Sequence, residues 1–428
     1  MKKIIIILFL PAIIINACSD NRSEKELTEA IRNNPYFEYV RQKAYEVVET
    51  GFTAGDGYGE VWIRDLNTFI ELACEVHGNE EIRDNLLVFF RMQGEDGNIM
   101  DGFIPVNNAT GGYDYIFSDL EPRYAGHKND VETDQESSLI QAVYRYIRTT
   151  GDVEFIDEEV GGISVAERMM MAVEFLVEHR LSEKYGLLWG ATTADWGDVQ
   201  PEHEWGVYIT DDTHFAVEIY DNAMFLIALE NLAELLPDRS GFIMDIHRDI
   251  AENAMKHLWD EENQKFIPHK YIDGSPFPDD FDENIIYQHG GTAVAIEAGL
   301  LTRDQVKDAL DRMVANVEAT GAASIGLTLY PPYPEGFFLN PSMTPYGYQN
   351  GGDWTWFGGR MIQQLILYGF VEEAYEQVMP MMKRVKDNNG FYEWYTIENE
   401  PRGSGTFRGS AGVLYKAIQM FEEYADTF

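Results

Sequence analysis

The chain contains 428 residues, 73 of them Asp or Glu and 32 Lys or Arg, for a formal net charge of −41. So acidic a surface repels nucleic acid and anionic lipid and excludes both as partners. It is compatible with a neutral ligand, and the 13% of Phe, Trp and Tyr is stacking surface of the kind carbohydrate uses.

The chain opens with MKKIIIILFLPAIIINACSD. Two lysines precede an apolar run from Ile4 to Ile15, interrupted by Pro11, which is short for a membrane span and reads as a secretion signal. Asn16-Ala17-Cys18 follows and is similar to the lipobox of bacterial lipoproteins, with Cys18 as the acylated residue; a plain cleaved signal peptide is the alternative. Residues 1–17 are expected to be a lipoprotein signal peptide, 18–23 a short linker and 24–428 one domain. The product is an exported bacterial lipoprotein, periplasmic or at the cell surface, that meets the membrane only through the lipid on Cys18. A monomer is expected. Cys74 is the other cysteine, so there is no disulfide framework, and a large core must supply the stability.

Beyond the signal, the 3.6-residue period predicts twelve helices. They cover 24–49, 65–78, 81–93, 132–151, 164–181, 212–236, 240–258, 288–300, 302–319, 352–369, 371–387 and 408–425. Linkers alternate between short, near 79, 152–163, 238, 301 and 370, and long, at 50–64, 94–131, 182–211, 259–287, 320–351 and 388–407. In an antiparallel array alternate linkers lie at one end, so the six long loops gather on one face, where functional residues concentrate. Six hairpins closing on themselves make an all-α (α/α)6 barrel, a six-hairpin toroid in a single domain. The helices that follow the long loops are the candidates for its inner ring, and GGTAVAIEAGLL and GSAGVLYKAIQMF suit burial on several sides. An open solenoid shares the helix count but would show a fixed-period repeat, and none is found.

The long loops carry the candidate chemistry. In the first, GFTAGDGYGEVWIRDLNTF, Trp62 precedes Arg64 and Asp65, which open a helix; Asp65 is either a cap or an acceptor for sugar hydroxyls, with Arg64 as donor. In the second, Tyr113, Tyr115, Tyr124 and His127 precede a run of acids in which Asp134 and Glu136 either cap the next helix or touch ligand, and at least one is expected to cap it. The third, LLWGATTADWGDVQPEHEWG, interleaves Trp189, Trp196 and Trp205 with Asp195, Asp198, Glu202 and Glu204. A core does not tolerate such acids unpaired, whereas a carboxylic acid between indoles in a cleft is desolvated and holds its proton toward neutrality, as a general acid must. Spacing alone leaves Asp195 and Asp198 both open. The fifth loop offers Trp354 and Trp356. The last places Glu393 between Tyr392 and Trp394, either to activate a water or as a buried partner of Arg402 or Arg408.

Four stretches in order, VWIRDLNTF, ADWGD, YQNGGDWTWFGG and FYEWYTIENEPRGSGTFRGSAGVLY, resemble the six-hairpin glycosidases, a group that includes trehalase, processing α-glucosidase, the debranching-enzyme glucosidase, α-rhamnosidase and cellobiose phosphorylase. The resemblance implies that Glu393 is the catalytic base, that Asp198 is the general acid with Asp195 its close rival, and that Arg64 and Asp65 bind substrate. Trp62, Trp196, Trp354, Trp356, Tyr392 and Trp394 are the further candidate substrate contacts. Many relatives carry a β-sandwich before the barrel, which this chain is expected to lack.

The expected function is therefore an inverting glycoside hydrolase acting on a neutral oligosaccharide or glycoside, with Asp198 protonating the leaving oxygen and Glu393 activating water. A disaccharide phosphorylase on the same fold is the first alternative, although phosphate favours cationic loops and these are acidic. A non-catalytic glycan-binding surface lipoprotein is the second. An unsaturated uronide hydrolase suits acidic loops least, because its substrates are anionic. No cofactor and no catalytic metal is expected: the nine histidines show no compact ligand spacing. The acids of PDDFDEN at 278–284 are of the type that holds a structural calcium, without an EF-hand pattern.

Overall fold

The computed structural model describes residues 21–110 and 114–428; the signal segment, Cys18 and Tyr113 lie outside them. Thirteen helices follow in chain order: α1 (Asn21–Arg32), α2 (Phe37–Val48), α3 (Ile63–Val76), α4 (Asn79–Arg91), α5 (Gln135–Thr150), α6 (Val165–His179), α7 (Ile219–Leu235), α8 (Ser240–His257), α9 (His289–Glu297), α10 (Arg303–Thr320), α11 (Thr355–Leu367), α12 (Val371–Asp387) and α13 (Arg408–Asp426). The helix expected over 24–49 is two helices. Pro35 disfavours helical backbone at Asn34, and the Asn34 side chain accepts from the Tyr36 amide instead. The helix expected from 212 begins at Ile219, because 215–217 pair as an extended segment between 190–191 and 270–271.

Helices α3, α5, α7, α9, α11 and α13 each pack against the next, and α13 returns to α3, closing a ring. Outside it, α4 packs on α3 and α5, α6 on α5, α8 on α7, α10 on α9, α12 on α11, and α2 against α13 and α3; α1 lies on α13. All six inner helices follow long loops, as expected from the linker alternation. Burial separates the rings. In α9 every residue from His289 to Ile296 is buried, whereas outer α8 buries only Ile243, Ile250 and Ala254. Closure at α13 depends on a small residue: a Cβ at Gly412 would lie 2.5 Å from the Cα of Phe69 in α3.

The long loops are bonded to one another around the mouth of this ring. Strand β1 (Val61–Trp62) of the first loop pairs with β2 (Gly102–Pro105) of the second, which pairs with β3 (Tyr124–His127). The Ala191 amide donates to the Val131 carbonyl at 2.9 Å, joining second and third loops. Residues 215–217 pair with 270–271 and 287–288 with 329–330. Asp353 and Tyr395 exchange two backbone bonds of 2.9 Å, and the Arg408 amide donates to Ala54 at 2.8 Å, returning the last loop to the first. No helix is long and apolar enough to cross a membrane among the described residues.

Candidate active site

At the loop end of the barrel axis a cavity of about 220 Å³ is lined by residues of five of the six long loops; the fourth contributes none. Its floor is aromatic. Trp196 stacks on Phe357 (4.5 Å between centroids, 27° between planes), and Trp354 and Trp356 meet Trp196 edge-on at 4.8 and 5.5 Å. All three indoles are almost fully buried, so they shape the cavity by their edges more than by open faces. Trp62 stands on its wall, edge-on to His127 at 5.6 Å.

Arg64 and Asp65 lie in the first turn of α3 and both line the cavity. The guanidinium of Arg64 donates from Nε to Asp134 Oδ2 at 2.7 Å and pairs also with Glu132; Asp134 accepts in addition from the Tyr220 hydroxyl at 2.8 Å. Asp65 is not a helix cap: the position before α3 is Trp62, with no side-chain capping bond, and Asp65 Oδ1 is buried without a protein donor. Burial pushes its carboxyl up to about 7, opposed by Arg64 and reinforced by Glu393, Asp198 and Asp134. Asp101, which precedes β2, also lines the cavity, and burial pushes it up to about 8. Neither Asp134 nor Glu136 caps α5 through its side chain. Asp134 is committed to Arg64, and Glu136 to Lys128 at 3.1 Å and to the Ile99 amide at 2.8 Å.

The two acids of ADWGD separate by location. Asp195 is buried with a left-handed backbone (φ 60°), and its two oxygens accept from the amides of Gly290 and Gly291, both at 2.7 Å. It holds the N-terminus of α9, although burial outweighs the two amide bonds and pushes its carboxyl up to about 8, and it is not part of the cavity lining. Asp198 lines the cavity. The side-chain amide of Gln349 grips it from both ends: Nε2 donates to Asp198 Oδ1 at 2.6 Å, and Oε1 accepts from the Asp198 amide at 3.4 Å. The other polar residues of this loop lie apart. Glu202 meets His214 at 2.7 Å, Trp189 is covered by Arg180 at 4.7 Å from its ring centre, and Trp205 stands exposed.

Glu393 is 4% exposed and lines the same cavity. It pairs with neither Arg402, which holds Glu400 at 2.6 Å, nor Arg408, which is spent on Thr50 and Thr53. Its Oε2 accepts from the Tyr58 hydroxyl at 2.9 Å and the Ser404 amide at 3.2 Å. Burial raises its pKa, the two donors oppose, and the charge of Asp198 adds to the rise. Gly403 is required here, because its φ is 68° and a Cβ would collide with the Glu393 carboxylate. Tyr392 and Trp394, candidate contacts by sequence, do not line the cavity. The chain bends at Glu393, and the rings on either side pack on Tyr395 and Tyr348 instead.

Tyr58, Asp101, Asn129, Tyr348 and Gln349 line the cavity without having been singled out by sequence. Among the described residues no cluster of His, Cys, Asp or Glu is arranged to hold a metal ion. In the 278–284 stretch, Glu283 is taken by His269 at 2.9 Å and by the hydroxyls of Tyr271 and Tyr333.

A closed double ring of helices with an acidic, indole-floored cavity at the loop end defines an (α/α)6 barrel with a candidate active site. No family model and no curated protein matches the chain by sequence. Solved structures match its fold. An uncharacterized conserved protein from Thermus thermophilus superposes with a TM-score of 0.63 at 14% identity, over 89% of this chain and 99% of the other. The GH63 mannosylglycerate hydrolase of the same organism, in complex with Tris and D-glycerate, gives 0.61 at 15% identity with the same coverage. A rhamnosidase from Klebsiella oxytoca with rhamnose bound gives 0.58 at 13% identity, over 90% of this chain and 64% of that one. The fold expected from the sequence is thus the one observed.

Proposed function

We propose that the chain is a glycoside hydrolase that inverts the anomeric centre of a neutral oligosaccharide or glycoside, with Asp198 as general acid and Glu393 as general base. The observation that carries this is the convergence of these two carboxylates, from the third and last loops, on one small cavity. Support from outside the chain is that a mannosylglycerate hydrolase and a rhamnosidase are built on the same barrel.

On this reading each step has its own carboxylate oxygen. Gln349 donates to Oδ1 of Asp198, and an amide N–H can only donate, so the proton delivered to the glycosidic oxygen sits on Oδ2. Tyr58 and Ser404 both donate to Oε2 of Glu393, which leaves Oε1 to take a proton from the attacking water. Burial makes Glu393 a stronger base than an exposed glutamate. Asp65 and Asp101 face the same space and accept from sugar hydroxyls. Two carboxylates and a water suffice for this reaction, so no cofactor enters the proposal.

The charge of the lining bears on the alternatives. Arg64 is the one Lys or Arg among the lining residues, and its guanidinium is already held by Asp134 and Glu132. His127, which burial holds down to about 4, is neutral at pH 7. Such a site disfavours both the phosphate of a phosphorylase and a uronate. The test is turnover of a panel of aryl glycosides and oligosaccharides, with NMR detection of the first anomer released. Inversion is expected, with D198N and E393Q each lowering kcat by about 10²-fold or more. Near-normal turnover in either variant removes that residue from its role. Binding without hydrolysis across the panel would instead make the protein a glycan-binding module.

A further inference from the structure

Resting on the reading of the cavity as a sugar site, we propose that Asp101 determines which sugar it takes: the carboxylate accepts from one hydroxyl of the bound ring, and a sugar that lacks or inverts that hydroxyl is rejected. Asp101 is 7% exposed and lines the cavity. No side chain or amide among the described residues donates to its carboxylate; Arg64, Lys128, Asp134 and Asp198 act on it by charge alone, and burial outweighs them. Most other acids of the lining have partners. Glu393 is held by Tyr58 and Ser404, Asp198 by Gln349, and Glu132 is paired with Arg64. Asp65 also lacks a donor on Oδ1, but it lies in the first turn of α3, where a helix favours negative charge. Asp101 has no such support.

The backbone presents this carboxylate from a fixed peptide. The Asp101 N–H donates to the His127 carbonyl and its C=O accepts from the Ile63 amide, both at 2.8 Å, so the residue is tied to β3 on one side and to the start of α3 on the other. The next residue, Gly102, pairs with Trp62 and with His127. A Cβ on it would lie 2.6 Å from the Trp62 ring, so the indole is packed directly on the strand that carries Asp101.

A desolvated carboxylate without a donor is destabilising, so the fold itself does not gain from Asp101. A ligand hydroxyl supplies the missing donor. The consequence for selectivity is steep, because a site built to bond a substrate hydroxyl rejects the analogue that leaves its buried group unpaired.

The test reads binding and stability, without turnover. Free D-glucose, D-mannose, D-galactose, D-xylose and L-rhamnose are titrated by calorimetry into the unmodified protein, followed by the monodeoxy analogues of the tightest binder. One analogue is expected to bind at least about 30-fold more weakly than its parent. D101A is expected to weaken the parent by a similar factor and to bring it within about threefold of that analogue. D101N, which keeps an acceptor oxygen, should fall between D101A and the unmodified protein. A residue that only shapes the loop would instead weaken every sugar alike. Thermal melts without sugar give an independent sign: D101N removes a donorless buried carboxylate and is expected to melt about 1–2 °C higher, whereas a structural role predicts a lower midpoint. No sugar bound, discrimination that survives D101A, uniform weakening, or a lower D101N midpoint each overturns the assignment. Failure of the hydrolase reading would appear separately, as absence of turnover in the unmodified protein, and would leave this comparison intact.

Discussion

At the scale of single residues, the site is a contrast between two carboxylates and the groups that hold them. Glu393 is held by one hydroxyl and one amide on the same oxygen, against a burial that raises its pKa. Removing the hydroxyl with Y58F takes away a donor that favours the charged form, so the pKa of Glu393 rises further. On the proposed role of Glu393 as base, which must be ionised to act, the acid limb of the kcat/KM profile is expected to move to higher pH, by about one unit for one hydrogen bond to a charged group. An unmoved limb would detach Tyr58 from Glu393 in function. Asp198 and Glu393 were legible in sequence because each lies in a short tryptophan-containing motif. Tyr58 and Gln349 lie in quoted loop stretches but were not singled out, because each meets its carboxylate only when a remote loop delivers it. Tyr392 and Trp394 adjoin Glu393 in sequence but lie outside the cavity lining, with their rings on Tyr395 and Tyr348.

At the scale of elements, helices were read well where one face is apolar and less well where the chain alternates. Residues 215–217 sit among apolar residues that continue into α7, so the period alone starts the helix early; pairing with two neighbouring segments makes them extended. The helical period of the first segment runs on through Pro35, which separates α1 from α2. The seam between α13 and α3 rests on Gly412, where a side chain has no room. G412A is expected to destabilise the fold by about 1–3 kcal/mol through overpacking, read as a lower denaturation midpoint. Unchanged stability would mean that the two helices part without cost.

At the scale of the whole molecule, the order of helices in the barrel was legible from linker lengths alone, because alternation of short and long connections is a topological signal that survives boundary errors. What sequence could not supply was the ion cluster further along the axis. Glu297 of α9 accepts from Arg360 of α11 at 2.9 Å and pairs with Arg145 of α5 at 3.3 Å, tying three inner helices. Burial raises the pKa of Glu297, but the two guanidinium groups outweigh it and the net shift is downward. A lowered folded-state pKa gives stability that is present above the unfolded value, about 4.3, and is lost as pH falls through the folded one. E297Q, which strands both arginines, is expected to cost roughly 3 kcal/mol at pH 7. The gap from the unmodified protein should narrow below about pH 4, as thermal melts across pH would record. A gap independent of pH would exclude the ion pairs as its cause. The loops, bonded each to the next and the last to the first, form a second closed circuit above the circuit of helices. Each half of the molecule is therefore continuous by itself, one in packing and one in hydrogen bonds. A cut in the backbone at a short turn of the far end, such as 236–239, interrupts neither, whereas a cut in any long loop opens the circuit that surrounds the cavity. The protein thus has a natural place for new termini or inserted domains, at the end of the barrel away from the cavity.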